Sequence, residues 1–214
     1  MLTSRLRGYL GLNLCRIVSR PLSQDEIAVD KLNSHIFYRP IGEQELLQHC
    51  ADPELVLSPR YIRLACARGD LCVAAFDGTR LVGYQWFAFG ATPHVDGVWV
   101  DFSPGACYCY NQFVRPAHRG QHIAAGLTTY GGRACMLWGC RHTVAFIDLD
   151  NRNSWKATSR VSNSTIGYVS YIKCFGFFLS FRTRGAIRFG FRFYVPPRAR
   201  NDWLKYEPEE LAKP

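Results

Sequence analysis

Val114-Arg115-Pro116-Ala117-His118-Arg119-Gly120-Gln121-His122-Ile123-Ala124 is the stretch that decides the architecture. Before it, Ala106 to Val114 alternates small or polar with aromatic residues, the period-two pattern of a strand. Pro116 cannot donate to a ladder, so the strand ends there. After it, His122 to Trp138 carries Ile123, Leu127, Tyr130, Ala134 and Leu137 on one helical stripe, and Gly139 suits a helix stop. An Arg-Gly turn between strand and helix leaves the first helical N–H groups without intrahelical partners. With the helix dipole they form a site for a phosphate or pyrophosphate. Arg119 adds a fixed positive charge, and Gly120 and Ala124 allow close approach to the backbone. The same turn can also be plain architecture. The GxxxxGK[ST] pattern of a nucleotide P-loop is absent.

Outward from this junction the chain reads as mixed α/β. Towards the N-terminus, His35 to Arg39 predicts a strand, Glu43 to Cys50 and Arg60 to Arg68 predict helices, and Leu71 to Phe76 predicts a second strand. Asp77-Gly78 is a hairpin signal, because Gly tolerates positive φ, and Leu81 to Phe89 is the return strand. Val95 to Phe102 follows as a further strand. Towards the C-terminus, Thr143 to Leu149 predicts a buried strand, Asn153 to Val161 a short helix, and Tyr168 to Cys174 a strand. In Ala186 to Tyr194, Ile187, Phe189, Phe191 and Phe193 alternate with Arg188, Gly190 and Arg192, which predicts a strand with one wet face. The order implies a mixed sheet with helices on both faces.

The run Val-x-Pro-x-x-Arg-Gly-x-x-Ile-x-x-x-Leu, from Val114 to Leu127, resembles the acyl-CoA-binding motif of the GNAT superfamily of N-acetyltransferases. Arg119 and Ala124 match the first and last positions of its Arg/Gln-x-x-Gly-x-Gly/Ala core. His122 stands where that family has Gly. Downstream, Val144 to Leu149 followed by Asn151-Arg152-Asn153-Ser154 resembles the family's buried strand and Asn-x-x-Ser helix start. Ser162-Asn163 occupies the place of its glycine–aromatic pair. The Asp77-Gly78 hairpin with Leu81-Val82-Gly83-Tyr84 is a third likeness. Together they cover about Ile36 to Tyr194. The resemblance implies a GNAT-like α/β (α+β) fold with a mostly antiparallel sheet.

It also implies an enzyme that moves an acyl group, most simply acetyl from acetyl-CoA, directly onto a primary amine of a small molecule or peptide, without a metal. In such a fold two strands splay apart and the pantetheine arm fills the gap. Backbone groups near Phe113 and Val114 would hold that arm and polarise the thioester. Arg119, Gly120, Gln121, His122, Ile123 and Ala124 would surround the pyrophosphate, with Asn151 and Ser154 as further contacts. Asn and Ser at a helix start also serve as ordinary caps. Many members protonate the leaving thiolate with a Tyr on the helix after the buried strand. The matching position here is Thr158, and the usual Glu before the splay is missing. Tyr110 and Tyr108, on the strand that should flank the thioester, are the catalytic candidates. Asp101 and His118 are further proton acceptors to consider.

The 214 residues suit one domain with short extensions. Segments 1–30, 31–197 and 198–214 divide into a basic amphipathic N-terminal part, the acyltransferase-like domain and a polar tail. In the first, Leu2, Leu6, Leu10, Leu14 and Val18 recur every four residues, which predicts a helix that packs on the domain, with membrane-surface contact or an organellar presequence as alternatives. A net charge of +9 favours an anionic partner, and a phosphorylated co-substrate meets that need. Nine cysteines without CxxC spacing point to reduced thiols and a cytoplasmic setting. Two rival functions stay open. A non-catalytic acyl-CoA-binding scaffold is suggested by the missing acid. A nucleic-acid or membrane-surface protein is suggested by the charge, with nucleic acid the less favoured. A homodimer is also open.

Overall fold

The computed structural model describes residues 12–23, 35–95, 97–159, 164–174 and 177–196. In chain order the strands and α-helices are β1 (Asn13–Pro21), β2 (Ile36–Pro40), α1 (Glu43–Gln48), α2 (Pro59–Ala67), β3 (Leu71–Asp77), β4 (Arg80–Ala88), β5 (Thr92–Pro93), β6 (Trp99–Asp101), β7 (Ala106–Val114), α3 (Ile123–Met136), β8 (His142–Asp148), α4 (Arg152–Ser159), β9 (Ser164–Cys174), β10 (Phe177–Arg182), α5 (Arg184–Arg188) and β11 (Arg192–Tyr194). Eight strands form one sheet in the order β10-β9-β1-β8-β7-β4-β3-β2, and β11-β6-β5 form a small second sheet. Among the described strand pairs, β7 with β8 is parallel and the rest are antiparallel.

Local chemistry explains several elements. The β3–β4 hairpin turns at Gly78, whose φ of +57° is open to Gly at no steric cost, with Asp77 opposite Arg80. Ser58 caps α2 by accepting from the Tyr61 N–H at 3.4 Å, and Pro59 fills the first turn where its missing N–H costs nothing. One face of the sheet carries α3, whose Ile123, Leu127 and Cys135 pack on Val73, Val82, Phe87 and Cys107. The opposite face is covered in two places. Helices α1 and α2 cover one part through Leu46, Tyr61 and Ile62 against Ala74, Tyr84 and Trp86. The small sheet and α5 cover the other through Phe191, Phe193 and Ala186 against Ile17, Val144 and Val169. The mixed sheet with helices on both faces is therefore as the pattern implied.

Three expectations are corrected. The helical stripe at the N-terminus fails over Asn13–Pro21, which is an interior strand between β8 and β9; Leu2, Leu6 and Leu10 lie outside the described residues. Arg16, Ser19 and Arg20 hide the period-two signal because each is accommodated in the sheet. Arg16 stacks 4.0 Å over Trp155, the Ser19 hydroxyl donates to the Thr143 carbonyl, and Arg20 donates to the Thr128 carbonyl. The strand expected over Ala186 to Tyr194 begins as the helical turn α5, and only Arg192–Tyr194 is extended. Finally, Leu137 is not on the buried stripe of α3: it lies past the helix end and is 90% exposed. The tail 198–214 lies outside the described residues, as does Ser162-Asn163.

Candidate functional site

The parallel β7–β8 ladder has three registers, Ala106 with His142, Cys107 with Thr143 and Tyr108 with Val144, and then the strands part. The cause lies in β7. Asn111 takes φ +43°, and the β4–β7 register shifts between Tyr84 and Trp86, so that Gln85 faces two residues. Such a bulge bends its strand and raises its twist. Pro116 then ends β7 in a short 3-10 turn, Pro116–His118. The opening is a cleft of about 200 Å³ lined by residues of β7 and β8, by Ala124 and Thr128 of α3, and by Ser154 and Thr158 of α4. A polar knot closes its β7 side. The Gln112 amide donates to Gln85 Oε1 and the Ala124 carbonyl at 2.9 Å and to Thr128 Oγ1 at 3.1 Å.

The turn that feeds α3 is open and carries no side-chain cap. Gly120 has φ +83°, and a Cβ built there meets nothing within 4 Å, so the space before the helix is open. No side chain caps α3, whose N-cap is His122 in the left-handed region at φ +61°. A Gly would adopt that φ at no steric cost, and the His122 side chain is exposed. Arg119 is exposed and its Nε donates to the Val114 carbonyl at 3.2 Å, which sets the guanidinium beside the turn. Arg115, by contrast, is 2% exposed and structural. Its Nε donates to the Leu81 carbonyl at 2.7 Å, and its other nitrogens pair with Asp52 and Glu54.

The structure sorts the expected residues. Tyr110, Ala124 and Ser154 line the cleft together. Arg119, Gly120, Gln121 and His122 form the turn, while the Ile123 side chain is 1% exposed and belongs to the core beneath α3. Phe113 and Val114 pair with Tyr84 and Gly83 on one side and face the parted β8 on the other. Asn151 is a helix cap: its Oδ1 accepts from the Ser154 N–H at 3.0 Å. Tyr108 is a correction. It is 5% exposed, stacked 5.4 Å from Tyr110 and 6.0 Å from Phe146 inside the core. Asp101 is held by Arg192 at 2.7 Å, and His118 Nε2 lies 3.5 Å from Asp77. Sequence reasoning missed Gln85, Gln112 and Thr128. Two glutamines on neighbouring strands gave no signal, because only the bulge brings them to one point.

His122 supports a direct test. A non-glycine residue at positive φ costs on the order of 1 kcal/mol. His122→Gly is therefore expected to raise stability by up to about 1 kcal/mol in urea unfolding and to leave acetyl-CoA affinity within about tenfold. A larger loss of affinity would place the imidazole against the ligand.

The sequence model of the Acetyltransferase (GNAT) family matches residues 43–162. No curated protein matches the sequence. Among solved structures, a protein of unknown function from Staphylococcus epidermidis is 11% identical with a TM-score of 0.53, covering 80% of this chain and 65% of that one. A Drosophila protein is 12% identical with a TM-score of 0.51, covering 81% and 55%. The GCN5-related glucosamine N-acetyltransferase region of a fungal multi-domain β-N-acetylglucosaminidase is 14% identical with a TM-score of 0.51, covering 90% and 22%. This chain thus spans less than two thirds of each of those chains. At these identities the likeness is one of fold. Among the described residues no helix is long and apolar enough to cross a membrane.

Proposed function

We propose, on the premise that this chain belongs to the acetyltransferase (GNAT) family, that it transfers an acyl group, acetyl in the simplest case, from acyl-CoA to a primary amine. One observation carries the reading. The cleft opens where the β7–β8 ladder stops, and the uncapped N-terminus of α3 stands beside it. The parted strands leave the backbone edge of Phe113 and Val114 facing the gap, where a pantetheine amide can pair. The first N–H groups of α3, the Gly120 turn and Arg119 suit the pyrophosphate. Acetyl-CoA supplies an activated carbonyl. The protein supplies position, so that a neutral amine and the thioester carbonyl meet in line. The acceptor is a small-molecule or peptide amine, and a cytoplasmic setting fits nine free thiols.

A second reading, acyl-CoA binding without turnover, is favoured by Thr158. This residue lines the cleft where the family's acidic Tyr is expected, and a threonine hydroxyl is a poor acid at neutral pH. One experiment separates the two. Acetyl-CoA binding is measured by calorimetry, and CoA release is followed across a panel of primary amines. Micromolar binding with amine-dependent release is expected. Binding without release to any amine supports the scaffold, and absence of binding removes both.

A further inference from the structure

A buried ionic cluster lies on the face of the sheet that carries α1 and α2. Asp70, between α2 and β3, has a side chain only 4% exposed, and Arg68, the C-cap of α2, is 12% exposed. Arg68 donates to Asp70 Oδ2 from Nε at 3.1 Å and from Nη2 at 2.5 Å. The Tyr110 hydroxyl donates to the same Oδ2 at 2.5 Å and accepts from Arg68 Nη2 at 3.1 Å. Three groups thus close a ring of hydrogen bonds. The Tyr110 ring has Tyr61 and Trp86 at 6.5 Å and Tyr108 at 5.4 Å, so it has little freedom to turn away. Tyr110 is also the member of this ring that lines the cleft where β7 and β8 part, while its hydroxyl lies on the α2 side with Asp70.

The direction of the Tyr110 hydrogen bond decides its chemistry. The phenolic proton is already aimed at a carboxylate, while the oxygen accepts from Arg68 and has the Tyr61 hydroxyl as a further hydrogen-bonding neighbour. A hydroxyl in this state suits taking a proton from an amine better than giving one to a thiolate. We propose, resting on the acyltransferase reading above, that Tyr110 and Asp70 form a proton relay for the acceptor amine, with Arg68 holding the carboxylate in place. The amine lone pair forms the C–N bond at the thioester carbonyl. The N–H proton moves to the Tyr110 oxygen as the phenolic proton moves to Asp70 Oδ2. The C–S bond then breaks with its electron pair on sulfur, and Asp70 returns its proton through the Tyr110 hydroxyl and a bridging water to the thiolate. Tyr110 touches the substrate; Asp70 and Arg68 act through it and are positioning residues.

The surroundings give the relay its pH dependence. Tyr61, Cys66 and Arg68 face the pair from α2 and its end, Tyr84 and Trp86 lie on β4, and Tyr108 stands beside it on β7. Burial raises the Asp70 carboxyl from its ordinary value, and Arg68 and Tyr110 pull it partly back. Burial also lifts the Tyr110 phenol well above its ordinary value, so it keeps its proton at neutral pH. The relay works when Asp70 is ionised. Turnover therefore rises as pH climbs through the Asp70 ionisation and falls below it.

The test uses the full chain with an amine that the wild type acetylates. Tyr110→Phe and Asp70→Asn are expected to bind acetyl-CoA within about threefold of wild type and to lose about 10²–10⁴-fold in kcat. The acid limb of the kcat–pH profile disappears in Asp70→Asn. A structural role alone would lower the folded fraction and leave that limb in place. Should Asp70→Asn fail to fold, Tyr110→Phe, which removes one oxygen, decides alone. Wild-type kcat with an unchanged acid limb in Tyr110→Phe overturns the relay and leaves the acyltransferase reading standing. A wild type that binds acetyl-CoA and releases CoA with no amine overturns both.

Discussion

Arg119→Ala is expected to weaken acetyl-CoA binding by roughly 1.5–3 kcal/mol, about 10- to 150-fold, with no change in unfolding midpoint. The expectation rests on position. Arg119 is exposed, so its side chain supports no core, and its one described bond is the 3.2 Å contact from Nε to the Val114 carbonyl. That contact orients the guanidinium beside the Gly120 turn and the first N–H groups of α3. A pyrophosphate seated there would take a charge-assisted hydrogen bond in addition to the helix-terminus field. Arg115 is the contrasting residue four positions earlier: fully enclosed, it is committed to Leu81, Asp52 and Glu54. Calorimetry on Arg119→Ala measures the ligand term free of any folding term. Equal affinity in wild type and variant would remove Arg119 from the site and leave the helix N-terminus to hold the anion by itself.

The difference between these two arginines bears on what a sequence can disclose. Both flank the same Pro116, and nothing in the residue types says which is buried. The junction itself was legible, because proline, glycine and a helical stripe each act within a few residues of themselves. The same holds for the Asp77-Gly78 hairpin and for the Asn151 cap. Strand β1 was not legible, because its partners β8 and β9 come more than a hundred residues later. A Leu every fourth residue outweighed the β-branched pair Ile17-Val18. The cleft was legible as an expectation and not as a shape, since it depends on the bulge at Asn111 and Gln112 opposite Gln85. The Asp70 cluster left no trace at all. Arg68-Gly69-Asp70 reads as a turn at a helix end, and Tyr110, which gives it meaning, is 40 residues away.

Gly131→Val is expected to cost about 3 kcal/mol of stability, a fall of about 6–12 °C in Tm for a domain of this size. Glycines contribute nothing to a hydrophobic stripe, yet they are what lets α3 lie flat on the sheet. A Cβ on Gly131 would sit 2.1 Å from the ring of Phe87, which is fully buried on β4. At Gly126 it would meet the Tyr38 hydroxyl at 2.2 Å. Neither ring has room to yield, so a larger side chain must lift the helix. Helix propensity pulls the other way, since Val is better than Gly by a few tenths of a kcal/mol, and the clash exceeds it. Phe87→Leu removes part of the ring, so the double variant Phe87→Leu/Gly131→Val is expected to be more stable than the sum of the two single losses predicts. Strict additivity would show that the two residues do not touch. Lifting α3 also moves its N-terminus away from the Gly120 turn. Gly131→Val should therefore weaken acetyl-CoA binding, although it lies two turns from the cradle. A variant that lost stability but kept full affinity would show that the turn is held by Arg115 and the 3-10 segment alone, independent of how the helix is seated.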